Sequence, residues 1–166
     1  MADVKLAYGT AVDATITLAS LATSSTRLVG RESTEVINNV NLFLDYLISG
    51  RITTGTTPTV NTTIEVWAVA AFDGTTFPHV FDGTDSDETI TLDNIKNNIC
   101  HLVASMTVTA TSNVEYPFSG ISLASVFRGP IPPKFVFFVT HDTGVNLHAT
   151  AGNHQIRVQP VFETVT

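Results

Sequence analysis

The sequence holds one cysteine, Cys100, which excludes an intramolecular disulfide framework. It sits in Ile99-Cys100-His101-Leu102, an apolar run in which a buried, inert thiol is expected. No uninterrupted apolar run reaches the roughly 18 residues a membrane helix needs, so no membrane span is expected. The start, Met1-Ala2-Asp3-Val4-Lys5, lacks a basic region leading into an apolar core, and the expectation is a soluble product made in the cytoplasm without a signal peptide. Charge is scarce: 14% of 166 residues, with 8 Lys and Arg against 15 Asp and Glu and a formal net charge of −7. The cations Lys5, Arg27, Arg31, Arg51, Lys96, Arg128, Lys134 and Arg157 are scattered, which argues against a binder of nucleic acid, since neutralising phosphates takes clustered Lys and Arg. A Gly-x-Ser-x-Gly elbow, a phosphate loop and a Gly-rich dinucleotide turn are all missing, so a non-enzymatic chain without a cofactor is expected.

Against these absences stands a repeated period of two. In Gln155 to Phe162, the side chains of Ile156, Val158, Pro160 and Phe162 point one way and Gln155, Arg157 and Gln159 the other, the signature of a half-buried strand. Thr62 to Phe72 alternates as clearly, and Asp73-Gly74 closes it with a turn dipeptide. Asn41 to Ile52 carries apolar groups on both faces and reads as a central strand, while Lys134 to Thr140 is the most apolar of all. Short strands are expected at Ala14 to Leu18 and Arg27 to Val29, and Ile99 to Thr111 is expected to form a hairpin with Val114 to Phe118. One helical turn is expected near Thr91 to Lys96 and another at Ile121 to Phe127, halted by Arg128-Gly129-Pro130.

About eight strands joined by Gly, Pro, Thr and Asn loops predict an all-β protein, an antiparallel β-sandwich of jelly-roll type with one or two short helical turns. Residues 14–166 read as a single β-sandwich domain and residues 1–13 as an N-terminal arm.

Three groupings bear on chemistry. The loop Asp82-Gly83-Thr84-Asp85-Ser86-Asp87-Glu88 offers Asp82, Asp85, Asp87 and Glu88 as oxygen ligands for calcium, although the spacing departs from the EF-hand. A solvated loop supporting its own Asx turns is the competing expectation. Asp45, Glu65 and Trp67 fall mid-strand, where two carboxyls across a groove suit glycoside hydrolysis and an indole suits sugar stacking. The simpler expectation is that Trp67 fills the edge of the core. The histidines His141, His148 and His154 lie close in sequence, with polar loop ends favoured over a metal site.

Several stretches read together carry a resemblance: Val29-Gly30-Arg31-Glu32-Ser33-Thr34, Leu44-Asp45-Tyr46-Leu47 running into Arg51-Ile52-Thr53-Thr54-Gly55, Thr63-Ile64-Glu65-Val66-Trp67-Ala68, Phe81-Asp82-Gly83-Thr84-Asp85, and Thr140-His141-Asp142-Thr143-Gly144-Val145-Asn146-Leu147. Together they resemble the capsid decoration, or cement, proteins of tailed bacteriophages. The resemblance implies a structural virion protein on the outer surface of the head, a homo-dimer or homo-trimer that bridges subunits of the major capsid protein. On that footing the best candidates for capsid-bound arms are Met1 to Asp13 and Arg27 to Asn39. The alternatives are a β-sandwich carbohydrate-binding module using Asp45, Glu65 and Trp67, and a virion protein of the tail or neck.

Overall fold

The computed structural model describes residues 3–165; Met1 and Ala2, where the expected arm begins, and Thr166 lie outside the described residues. In chain order the strands are β1 (Val4–Tyr8), β2 (Val12–Asp13), β3 (Val29–Glu32), β4 (Val36–Ile37), β5 (Asp45–Thr53) and β6 (Thr63–Ala70). After these come β7 (Asp87–Thr89), β8 (Cys100–Thr107), β9 (Glu115–Ser122), β10 (Lys134–His141) and β11 (Gln155–Val165). Two short helices, α1 (Asp93–Ile99) and α2 (Leu123–Phe127), lead into β8 and out of β9. No helix among the described residues is long and apolar enough to cross a membrane.

The strands form two antiparallel sheets, one in the order β1-β11-β5-β9 with β2 also on β11, the other β7-β3-β10-β6-β8 with β4 also on β10. From β3 onward the chain changes sheet at each long connection except between β6 and β8, neighbours in the second sheet whose intervening segment adds the short strand β7 to the far edge of that sheet. The first strand therefore lies beside the last, and the two Greek keys of a jelly roll result. The expected all-β sandwich with two short helices is the fold observed.

Alternation explains where the core sits. Ile48 and Ile52 of β5, Ile64, Val66 and Ala68 of β6, Phe135, Phe137 and Val139 of β10, and Ile156 and Val158 of β11 meet between the sheets. The other side of β10 is covered too. Val136 and Phe138 pack with Val69, Phe77, Phe81, Ile90 and Cys100 in a second apolar cluster, so the weakly patterned stretch between Asp73 and Asn98 is a cover over the outer face of the second sheet. Gly30 on β3 allows close approach to β10, since an added Cβ would lie 2.8 Å from the Phe138 ring.

Several expectations need correction. Ala14 to Leu18 is not a strand: its backbone bonds are irregular, Ala14 N–H to the Ile156 carbonyl and the Thr15 carbonyl to Thr34 N–H, while Leu18 is buried in the core. Val114 to Phe118 does not pair with the strand before it. Asn113 turns the chain in the left-handed region (φ 58°), Val114 accepts from Thr54 N–H, and β9 joins β5 in the other sheet. Arg27 to Asn39 is not a free arm, because β3 lies between β7 and β10, and Glu32 at its end and the following Ser33 are completely buried. In the expected arm of residues 1–13, β1 and β2 hydrogen-bond to β11 as an edge of the first sheet.

Candidate functional site

β8 and β9 end their respective sheets, and α2 lies beside both. Here a cleft of about 650 Å³ opens, lined by Trp67 of β6, Asn97 of α1, His101 and Leu102 of β8, Ser125 of α2 and Arg128. Local chemistry positions these groups. Ser122 caps α2 by accepting from Ser125 N–H at 3.2 Å, and Arg128 ends the helix in the left-handed region at φ 58°. The arrest of α2 there points the chain away into Gly129-Pro130 and leaves the guanidinium at the cleft. His101 stands edge-on to Phe127, 5.1 Å between ring centres; burial, with the nearby Arg128 charge, holds its pKa below the usual 6.5 and favours the neutral ring at neutral pH. Cys100 lines the floor, but burial pushes its thiol up to about 12, so it is unreactive.

Asp45, which begins β5 rather than lying mid-strand, does not converge with Glu65 and Trp67. Asp45 belongs to the first sheet, where Oδ1 accepts from Tyr46 N–H at 2.7 Å and from Ala124 N–H at 2.8 Å, tethering the start of α2. Glu65 lies on the second sheet between Arg27 Nε at 3.4 Å and Lys96 Nζ at 3.5 Å, and accepts from Trp67 Nε1 at 3.0 Å. The Lys96 ammonium stands 5.1 Å from the centre of the Trp67 ring. The carboxyl pair expected across a groove is thus absent, with both acids committed to internal contacts. Of the three, only Trp67 faces the cleft.

In the acidic loop an arginine stands where a cation would sit. Arg31 Nε donates to Asp85 Oδ1 and Nη2 to the Asp85 carbonyl, both at 2.6 Å, and Nη1 donates to Asp87 at 3.0 Å. Thr17 donates to Asp85 through both its N–H and its hydroxyl. Asp82 accepts from Thr84 N–H in an Asx turn, and Glu88 accepts from Ser86. Among the described residues no group of three or more His, Cys, Asp or Glu is placed to hold a metal ion. The histidines are likewise engaged: His141 is buried between the Thr143 hydroxyl and the Leu21 carbonyl, His148 accepts from Thr150 N–H, and His154 bonds the His148 carbonyl.

Asn97, His101, Ser125 and Arg128 carried no signal as a group in the sequence. Arg128 shows there only as part of a helix stop, and nothing local says that the edges of two sheets bring it beside His101, 27 residues earlier in the chain (128 − 101). No protein-family model matches the chain, and no curated protein matches it.

Proposed function

We propose that this chain is a structural, non-enzymatic virion protein that decorates the head of a tailed bacteriophage, bridging major capsid protein subunits from the outside as a homo-dimer or homo-trimer. The observation that carries this reading is the ribbon formed by β1 and the end of β11. Pairing between β11 and β5 stops at Val161, and beyond it β11 has β1 as its ladder partner among the described residues. On one face of this ribbon Val4, Leu6 and Tyr8 alternate, with Val165 opposite Val4 and a single charge, Glu163, opposite Leu6, and the four apolar residues are all more than 60% exposed. An apolar strip on a sheet edge is a hazard for a protein that stays alone in water, and marks a surface that is covered in use. A symmetric lattice multiplies such a contact, so each copy needs only modest affinity. The resemblance to cement proteins and the jelly-roll strand order support the same role.

The test uses phage heads that lack the protein. They are expected to assemble but to release DNA at lower temperature than complete heads, and purified protein is expected to rebind expanded heads and restore the release temperature. The variant Leu6→Asp with Tyr8→Asp is expected to rebind at least ~10-fold more weakly while melting like the parent, since both side chains lie outside the core. Unchanged DNA release without the protein, or antibody label at the tail or neck, would reject head decoration.

A further inference from the structure

We infer that the cleft between β8 and α2 binds a carboxylate-bearing saccharide, a uronic or sialic acid residue, with Arg128 as the partner of the carboxylate. The site is independent of the apolar ribbon and stands or falls separately. Its first mark is unmet bonding capacity. The side chains of Asn97, His101, Ser125 and Arg128 line one cleft, and among the described residues none of them makes a hydrogen bond or ion pair. Of the other cations, Arg27, Arg31, Arg51, Lys96, Lys134 and Arg157 each have a carboxylate within 4.0 Å, and only Lys5, on the distant edge strand β1, shares the lack of one among the described residues.

Charge sets the ligand's sign and number. One guanidinium matches one carboxylate in a bidentate pair, whereas phosphates or polyanions would face a chain of net charge −7 with a single cation to meet them. The neutral groups set its polarity. A neutral imidazole, an amide and a hydroxyl each donate and accept, which suits the hydroxyls of a sugar ring. Trp67 spends its N–H on Glu65, so it offers the cleft only apolar ring surface, and with half-exposed Leu102 this supplies a wall for the C–H face of the sugar. The volume lies inside the range of small-ligand sites, about 300–1,000 Å³.

An extended acidic peptide added to the edge of β8 fits less well. The register of β6 and β8 slips between Val66 and Trp67, which places a bulge at Leu102-Val103, beside the cleft. A bulge interrupts the regular ladder through which a peptide strand would be held.

Trp67 is the sole tryptophan, so its fluorescence reports directly on the cleft. The experiment titrates the protein with glucuronic acid and N-acetylneuraminic acid at constant ionic strength, with glucose, sodium acetate and a glutamate peptide as comparisons. At least one sugar acid is expected to give a saturable change, with glucose and acetate binding at least ~10-fold more weakly. Arg128→Gln and Asn97→Ala, both at exposed positions, are each expected to weaken that binding while leaving the melting temperature unchanged. Amide shifts in nuclear magnetic resonance are expected at Asn97, His101 and Ser125. The inference is overturned by no saturable response to either sugar acid, by equal binding to Arg128→Gln, by acetate binding as tightly as the sugar acids, or by tighter binding of the glutamate peptide.

Discussion

Glu32 has no ion-pair partner among the described residues and is fully buried. It accepts from the backbone N–H of Gly83 at 2.7 Å and of Asp82 at 3.2 Å, so the acidic loop is latched to β3 through a carboxyl group. Burial raises its pKa from the usual 4.5 to about 7, the two N–H donors opposing the rise and the charges of Asp82 and Glu88 adding to it. The folded state therefore holds a proton that the unfolded chain releases near pH 4.5. The resulting stabilisation is fully present below that pH and is lost as pH rises through about 7. At roughly 1.4 kcal/mol per pKa unit it amounts to ~3 kcal/mol at most. Melting curves from pH 4.5 to 8 are expected to show a fall in stability that is smaller in Glu32→Gln, which keeps an acceptor for Gly83 N–H without the titration. A parallel fall in both proteins would show that other groups carry the pH dependence. Nothing near Glu32 in sequence forecasts its burial, because the loop that covers it lies 50 residues further on.

At the scale of elements, β10 separates two apolar layers. Phe137 points into the core between the sheets, and Phe138 points to the outer cluster, 5.4 Å from Phe81 between ring centres. Replacing Phe137 by Ala is expected to cost ~3–5 kcal/mol of global stability, a large part of a typical ~5–15 kcal/mol. Replacing Phe138 by Ala is expected to loosen the cover first, so that amides of Phe77 to Ile99 exchange with solvent before those of β5 and β11. Hydrogen exchange read by mass spectrometry separates the two, and uniform loss of protection in Phe138→Ala would show that cover and sandwich form one unit. The two-sided burial also explains what the sequence could tell. β6 and β11 bury one face, so period two marked them to within a few residues, and β10 declared itself by lacking the alternation. β7 is an edge strand of three polar residues with no apolar pattern to read, while the alternation of Val4, Leu6 and Tyr8 in β1 lies on an exposed edge and so marks no face of the core. The same limit hid the cleft. Trp67 was visible as a lone indole, but its neighbours His101 and Arg128 come from elements whose meeting depends on the sheets closing.

At the scale of the whole molecule, the core begins at Leu18 and owes nothing to β1 or β2. Deleting residues 1–8 is thus expected to leave a cooperative melting transition with a modest drop in midpoint, while rebinding to expanded heads falls at least as far as in the double Asp variant. Loss of cooperative melting would show that β1 is part of the foldable unit; retained rebinding would place the attachment surface elsewhere.

The pairing of Val4 with Val165 and of Tyr8 with Val161 also imposes an order of events during synthesis. β1 leaves the ribosome almost the full chain length before its partner exists. At ~5–20 residues per second the delay is on the order of ten seconds, in which Val4, Leu6 and Tyr8 have no native contact to make. Closure of the first sheet can only follow the synthesis of β11, so the apolar edge takes shape after every earlier strand has been made.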